Sequence, residues 1–514
     1  MLRRFRIAFA IFFWLGITVL FLDVSGLLHA YLSWMTSLQF LPAVLAGNVG
    51  IVVLFVVITL LAGRIYCSVI CPLGVMQDII SRIASWLNPD KKKRKFGRFG
   101  YLAAKWPTFL RYTVLAVFLV ALFLGSGTVV QIFAPYSSYG RIMTTIFRPG
   151  VDYVNNLLAD WAVANDSYAF SHVELWMRSG AVLAVAVSSL AVIGIMALWG
   201  GRLYCNSVCP VGTVLGLLAR RSIFRVHISP DKCTKCGLCE RKCKAMAINA
   251  KEHFVDTTRC VDCFDCLDAC HTGALKYGMV KNAAAPVKTE AKSANEGKTD
   301  ASRRAFLTTA VSVAAIAKLQ ADTKIVDGGL AAIEDKKPYQ RQTPVCPPGA
   351  VSLRNLQQKC TGCLLCVSAC PNNVLRPSTG LLHFMQPTLS YEYNHCRPEC
   401  HACSDVCPAG AILSLGTTHE EKMARKSSLK IGRAVWIADN CVPLTDGVNC
   451  GNCAVHCPAG AIKMVPSNPD DRKSVRIPVV DEERCIGCGA CEHLCPSRPY
   501  SAIHVEGIEV QREI

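Results

Sequence analysis

Sixteen cysteines between Cys360 and Cys495 fall into four blocks of four, which constrains the chain more than any other feature. The outer blocks are Cys360, Cys363, Cys366, Cys370 and Cys485, Cys488, Cys491, Cys495. Both read C-x2-C-x2-C-x3-C and end in a proline, Pro371 or Pro496. The inner blocks are stretched in their first gap. Cys396, Cys400, Cys403, Cys407 has three residues there, and Cys441, Cys450, Cys453, Cys457 has eight. Three thiolates two residues apart converge on one face of a 4Fe–4S cubane, and the fourth goes to a partner cluster. A disulfide framework does not produce four proline-terminated blocks. Zinc prefers two C-x-x-C pairs separated by a longer span. The pattern predicts iron–sulfur ligation.

A second set lies upstream. Cys233, Cys236, Cys239, Cys243 and Cys260, Cys263, Cys266, Cys270 are two regular runs beginning 27 residues apart. They predict a compact two-cluster ferredoxin, with Cys243 serving the second cluster and Cys270 the first. Lys244 and His271 stand where proline usually follows. The six blocks predict six 4Fe–4S clusters held by 24 cysteines.

The chain has 514 residues and 29 cysteines, with positive mean hydropathy. Membrane spans joined to a cysteine-rich metalloprotein produce that combination. The net charge of +18 comes largely from basic residues beside apolar segments. This points to membrane topology and not to nucleic acid, for which there is no motif. Four spans are expected: Ile7 to Leu22, Phe40 to Ala62, Tyr112 to Phe133 and Gly180 to Trp199. The first lacks the cleavage site of a signal peptide. Residues 64 to 111 hold ten Lys and Arg against two acids, including Lys91, Lys92, Lys93, Arg94 and Lys95. Residues 134 to 177 hold only Arg141 and Arg148 against four acids. The first loop is therefore expected inside and the second outside. The stretch Asp152 to Asp166, with Val154, Leu157, Leu158 and Trp161 at helical spacing, reads as an amphipathic loop helix. The other reading lays it on the outer membrane face near quinone.

Inside the membrane half is a repeat. Gly63-Arg-Ile-Tyr-Cys67-Ser-Val-Ile-Cys71-Pro matches Gly201-Arg-Leu-Tyr-Cys205-Asn-Ser-Val-Cys209-Pro. Each copy follows a span on the predicted cytoplasmic side. The arginine three residues before the first cysteine favours thiolate over thiol. Three readings are open. Cys67, Cys71, Cys205 and Cys209 surround one metal or iron–sulfur centre, or they form two redox-active dithiols, or they are incidental to a packing repeat. Residues 281 to 301 read as a flexible tether. Ser302-Arg303-Arg304-Ala-Phe-Leu, followed by Thr308 to Ala317, looks like a twin-arginine export signal. The alternative is an ordinary cytoplasmic helix.

These residues resemble a known pair of proteins. From Met1 to about Tyr277, the Gly-Arg-x-Tyr-Cys-x3-Cys-Pro repeats and trailing ferredoxin resemble NapH. From Ser302 onward, the twin-arginine pattern, Pro347-Pro348-Gly349-Ala350, the four cysteine blocks and Cys495-Pro-Ser-Arg-Pro resemble NapG. The chain looks like a fusion of the two, and its membrane half is also similar to NosR-type and CcoG-type proteins. The resemblance implies a quinol dehydrogenase component, an oxidoreductase passing electrons from the quinone pool to an extracytoplasmic terminal reductase. Two block pairings are open: first with second and third with fourth, or outer with outer and inner with inner. The regular shape of the outer blocks and the stretched shape of the inner ones favour the second scheme, as does analogy with four-cluster subunits of molybdenum reductases. Cys495 would join Cys360, Cys363 and Cys366, and Cys370 would join Cys485, Cys488 and Cys491. Cys457 would join Cys396, Cys400 and Cys403, and Cys407 would join Cys441, Cys450 and Cys453.

The expected architecture is multi-domain: a four-helix transmembrane bundle plus α+β ferredoxin-like iron–sulfur domains. Residues 1–228 form the membrane domain and 229–280 a cytoplasmic two-cluster ferredoxin. Residues 281–321 are linker and signal, and 322–514 an extracytoplasmic four-cluster domain. The location is the cytoplasmic membrane. A rival function is an assembly or regulatory polyferredoxin that reduces a metal centre in a partner enzyme. An ion pump is disfavoured because the four spans carry no charge. No C-x-x-C-H, nucleotide-binding glycine motif or histidine pair for a b haem is present. Cys346 has no motif partner and is read as a free thiol.

Overall fold

A computed structural model describes residues 1–24, 26–87, 107–167, 169–173, 180–279 and 334–514. The run Lys91 to Lys95, the tether 281 to 301 and the Ser302-Arg303-Arg304 segment lie outside the described residues.

The N-terminal half is helical. Its first long helix, α1 (Leu2–Leu22), is followed by α2 (Leu27–Leu32), α3 (Trp34–Ser37), α4 (Phe40–Leu45) and α5 (Val49–Ala62). Next come α6 (Ile65–Val69), α7 (Pro72–Leu87), α8 (Pro107–Phe123), α9 (Gly127–Phe133) and α10 (Pro135–Ile142). A π turn, Met143–Phe147, leads into α11 (Arg148–Ala164), then α12 (Gly180–Gly200), α13 (Leu203–Ser207) and α14 (Pro210–Ala219). The repeat is visible in three dimensions. In each copy a long apolar helix ends at a glycine with positive φ, Gly63 (80°) or Gly201 (59°). A five-residue helix carries the first cysteine. The proline after the second cysteine opens the next helix, where its missing N–H leaves no bond unmade.

The four expected spans are realised unequally. Among the described residues, only α1 and α12, with 21 residues each, are long and apolar enough to cross a membrane as single helices. The other two are interrupted. Gly47, at φ 71°, separates α4 from α5, and Asn48 caps α5 by accepting from the Ile51 N–H at 3.3 Å. Gly125, also at φ 71°, separates α8 from α9. Large apolar side chains point outward from α1, α5, α8 and α12, among them Phe12, Val53, Val120 and Val192.

Among the described residues, five two-stranded antiparallel sheets organise the rest. In the first ferredoxin, β1 (Phe224–Ile228) pairs with β4 (Leu275–Met279), closing the ends of the unit with Ile228 opposite Leu275. Between the two cysteine runs lies the β2–β3 pair, Ile248–Asn249 with Phe254–Val255. The C-terminal unit repeats this plan. There β7 (Leu429–Trp436) pairs with β10 (Ile503–Glu513) around the third and fourth blocks. The β8–β9 pair, Ile462–Pro466 with Arg476–Val480, lies between those blocks. Between the first and second blocks lies the β5–β6 pair, Leu375–Pro377 with Pro387–Leu389.

The two ferredoxin regions sit at opposite ends of α1, which is about 30 Å long at 1.5 Å per residue. At its start, Arg3 binds Asp265 (2.9 Å) and Asp268 (2.8 Å) of the first ferredoxin. At its end, Phe21 packs on Gly140, and Gly140 abuts the backbone carbonyl of Cys363 in the C-terminal unit.

Candidate iron–sulfur sites

Local backbone geometry marks the cysteine loops. In all four regular runs the residues before and after the second cysteine have positive φ. They are Lys235 and Gly237, Asp262 and Phe264, Gly362 and Leu364, Gly487 and Gly489, at 48–80°. This alternation aims successive N–H groups into one concavity, a nest suited to an anionic cluster. Lys235, Asp262, Phe264 and Leu364 hold this conformation despite their Cβ atoms, a local cost that persists where the surroundings impose it. The stretched inner blocks do not use it: His401 has φ −126° and Gly451 −144°.

Three cavities are each lined by four cysteines. One, of about 370 Å³, is bounded by Cys360, Cys363, Cys366 and Cys407. A second, of about 310 Å³, is bounded by Cys485, Cys488, Cys491 and Cys457. The third, of about 360 Å³, is bounded by Cys441, Cys450, Cys453 and Cys495. A fourth set completes the domain: Cys403 faces Cys396, Cys370 and Cys400. In the first ferredoxin, Cys243 faces Cys260, Cys263 and Cys266. Cys239 faces Cys233 and Cys236. Cys270, the expected fourth member of that set, is partly exposed beside Thr272 at 3.5 Å.

This arrangement overturns the pairing of outer with outer and inner with inner blocks. Cys495 joins Cys441, Cys450 and Cys453, not Cys360, Cys363 and Cys366. Cys407 joins the first block, Cys370 the second and Cys457 the fourth. The strands give the reason. The β7–β10 pair closes blocks three and four into one unit, as β1–β4 closes the first ferredoxin. The β5–β6 hairpin joins blocks one and two as β2–β3 joins the first two runs. The long first gaps alter loops within a unit and leave its partner unchanged.

No three His, Cys, Asp or Glu side chains among the described residues form a site for a single metal ion. A cubane holds its ligand sulfurs around a volume instead of a point, and the four-cysteine cavities offer such volumes. Burial pushes the thiols of Cys243, Cys453 and Cys488 up to about 12, with neighbouring cysteines adding to the effect. Cluster binding must therefore displace protons, so it couples to pH and to folding. Cys346 is buried, its thiol also pushed up by burial to about 12, and it faces Cys360.

The repeat brings Cys67, Cys71, Cys205 and Cys209 into one buried group within electrostatic reach of one another. Each arginine reaches across to the other copy. Arg64 donates to the Cys205 carbonyl (3.4 Å) and lies 3.8 Å from the Cys67 sulfur. Arg202 donates to the Cys67 carbonyl. Gly74 and Gly212 leave room for these crossings, since a Cβ at either would meet the opposite arginine. The Gln77 side-chain amide donates to the Cys205 sulfur at 3.2 Å.

Electrostatic proximity links the groups in one order. Cys239 faces Cys266 within the first ferredoxin. Arg202 faces both Cys263 and Cys205, joining that ferredoxin to the bundle thiols. Tyr66 faces Cys71, Cys67 and Cys209, and Tyr136 faces Tyr66, Cys363 and Cys407. Beyond them Cys366 faces Cys403, Cys488 faces Cys396, and Cys491 faces Cys453.

Several residues in this arrangement carry no sequence signal. Asp78 is buried among Arg202 (2.8 Å), Arg6 (3.1 Å) and Lys244 (3.3 Å). Burial alone would raise its carboxyl, but Arg202, then Lys244 and Arg6, hold it well below the usual carboxylate range. Lys244, which replaces the usual proline, also binds Asp265 at 2.8 Å. The departure from the motif thus supplies a docking cation. Gln77 and Tyr136 were equally unannounced, whereas Tyr66 is the tyrosine of the first repeat.

Comparison with known proteins agrees with these sites. A family described as a 4Fe-4S binding domain matches residues 46–95 and 181–229, and another so described matches 226–249. A 4Fe-4S dicluster domain family matches 359–411 and 448–498. The chain is 25% identical over 270 residues to the putative electron transport protein YccM of Escherichia coli, covering 51% of this chain and 64% of YccM. It is 32% identical over 174 residues to the methylamine utilization ferredoxin-type protein MauM of Methylobacillus flagellatus, covering 32% and 69%. It is 27% identical over 186 residues to the ferredoxin-type protein NapG of Escherichia coli, covering 33% and 75%. The chain spans less than two thirds of YccM, and 29% of a further relative that it matches. No solved structure matches it. Four-cysteine cavities, nest-forming loops and these relatives converge: the chain belongs to the ferredoxin-type proteins represented by MauM, iron–sulfur electron-transfer proteins with several 4Fe–4S clusters.

Proposed function

We propose that this protein is a membrane-bound electron conduit that oxidises quinol and delivers electrons to an extracytoplasmic reductase. The supporting observation is the unbroken order of cysteine groups from the first ferredoxin, through the bundle thiols, to Cys441, Cys450, Cys453 and Cys495. In this reading the 24 block cysteines ligate six 4Fe–4S clusters. Cys270 completes the set of Cys233, Cys236 and Cys239. Cys67, Cys71, Cys205 and Cys209, gathered in one buried group, hold a seventh centre, read here as a further iron–sulfur cluster. Bound clusters would supply one-electron transfer, and the chain fixes their spacing, burial and nearby charge.

The membrane assignment draws support from the apolar surface of α1, α5, α8 and α12. The interrupted pairs α4–α5 and α8–α9 fit it too, because broken helices at membrane depth are tolerated where they pack on protein. The α9–α10 segment packs on the C-terminal unit: the Gln131 side chain donates to the Cys360 carbonyl at 3.4 Å. The position of the two ferredoxin regions at opposite ends of α1 supports placing residues 229–280 inside and 322–514 outside. On α11, Val154, Leu157, Leu158 and Trp161 are all exposed, as a helix lying on the outer membrane face requires.

Iron analysis of anaerobically purified protein tests the count. Seven cubanes give about 28 iron atoms, and the Cys67→Ser/Cys205→Ser double variant about 24. A wild-type value near eight would refute the C-terminal sites. Quinol-dependent reduction followed by EPR tests the donor, and no reduction by quinol would refute it.

A further inference from the structure

At the end of α1 remote from Arg3, the chain turns through Asp23 into α2. Asp23 accepts backbone hydrogen bonds from Gly26 (3.1 Å) and Leu28 (3.0 Å), and lies 3.1 Å from His29 Nδ1. The carboxylate fixes the imidazole tautomer, placing a proton on Nδ1 and a lone pair on Nε2. His29 is only 8% exposed, and its Nε2 has no hydrogen-bond partner. Burial holds the imidazole below its ordinary range against the pull of Asp23. Arg148 faces both Asp23 and His29. Its guanidinium donates to the Ser368 carbonyl at 2.6 Å and faces Cys370. Asp152 lies 3.7 Å from Arg148 on the same side of the junction. Leu28 and Tyr31, near His29 in the short helix, are exposed.

A capped turn accounts for Asp23. It does not account for a buried imidazole beyond the end of α1 whose Nε2 has no hydrogen-bond partner, linked through Arg148 to the loop of Cys370. We propose that His29, oriented by Asp23, is the proton acceptor of a quinol-oxidation site where α2 meets the C-terminal unit. The centre held by Cys370, Cys396, Cys400 and Cys403 is the electron acceptor. This inference rests on the quinol reading above. Hydroquinone loses two protons and two electrons to become quinone. One hydroxyl proton passes to Nε2 with the first electron and is released to water. The second proton follows the same route with the second electron. The two electrons reduce oxidised clusters one at a time, so no other oxidant is needed. The apolar ring enters from lipid past Leu28 and Tyr31.

The test uses the full detergent-solubilised holoprotein and a water-soluble short-chain quinol. His29→Gln keeps a donor toward Asp23 but cannot take the proton. It should slow quinol-driven cluster reduction about 100-fold. Iron content and reduction by dithionite should stay close to wild type, while affinity for an alkyl hydroxyquinoline N-oxide, read by tryptophan fluorescence, should fall as the inhibitor loses its His29 partner. Wild-type rates in His29→Gln would overturn the site while sparing the quinol reading. Wild-type protein reduced by dithionite but not by quinol would overturn that reading, and this site with it. If His29→Gln loses its clusters, Leu28→Trp at the exposed entrance decides. A tenfold or greater loss of affinity for the N-oxide supports the site, and unchanged affinity overturns it.

Discussion

The two ends of the helical bundle hold their ferredoxin units by different physics. At the first ferredoxin the contact is ionic. Buried Asp78 and Asp262 and half-buried Asp265 sit against Arg6, Lys244, Arg202 and the Arg64 N–H. At the C-terminal unit the contact is between backbones. Gly140 and Gly127 abut the carbonyls of Cys363 and Gln357, while Gln131 and Arg148 donate to the carbonyls of Cys360 and Ser368. A charge latch between a bundle and the domain that follows it at residue 224 costs desolvation but fixes register. Glycine-to-carbonyl packing brings a cluster loop as near the bundle as backbone allows. Separation of the cluster centres is the quantity that matters at that end, where Tyr136 lies between Tyr66 and Cys363.

The largest expected effect concerns the ionic end. Asp78→Ala strands the buried Arg6 and Arg202, leaves Lys244 with Asp265 alone, and should cost about 3–5 kcal/mol. Thermal unfolding and iron retention should show the first ferredoxin failing while the C-terminal unit keeps its clusters. Because the Asp78 carboxyl is held low, its contribution is fully present above the ordinary carboxylate value. It fades only as pH falls through the depressed value. Loss of both units together would erase the distinction between the two ends.

A smaller effect is expected at the backbone end. Gly140→Val places a side chain against the Cys363 carbonyl and the Phe21 ring, overpacking worth about 1–3 kcal/mol. Limited proteolysis should release the C-terminal unit more readily, with no dependence on salt. Salt-dependent release would mean that charge holds this end as well. Smallest of all is the exposed pair Arg3–Asp268, at 39% and 50% side-chain exposure. Asp268→Asn should cost under about 1 kcal/mol and lose even that effect in high salt, as measured by a double-mutant cycle with Arg3→Ala.

The cysteine runs were legible because ligand spacing is a local property. The C-x2-C-x2-C-x3-C pattern dictates the loop and its two positive-φ positions, and Cys243 joins its expected partners. Block pairing was not legible from gap lengths, since it is decided by strand pairing across the whole unit. The apolar content of the spans was readable, but their continuity was not. Gly47 and Gly125 break two of them, and a single glycine in an apolar run does not announce a left-handed turn. Asp78 and Tyr136 were invisible because each matters through partners 70 to 271 residues away in the chain.

The central claim is that the cysteine groups form one electron path, with Cys67, Cys71, Cys205 and Cys209 as its middle. Membrane vesicles with the first ferredoxin facing outward, supplied with a reductant that does not cross the membrane, test it directly by EPR. In the wild type the signals of the C-terminal clusters should appear along with those of the first ferredoxin. In Cys67→Ser/Cys205→Ser only the first ferredoxin should be reduced, although dithionite on detergent-solubilised protein reduces every cluster. Equal reduction of the C-terminal clusters in both proteins would contradict the account.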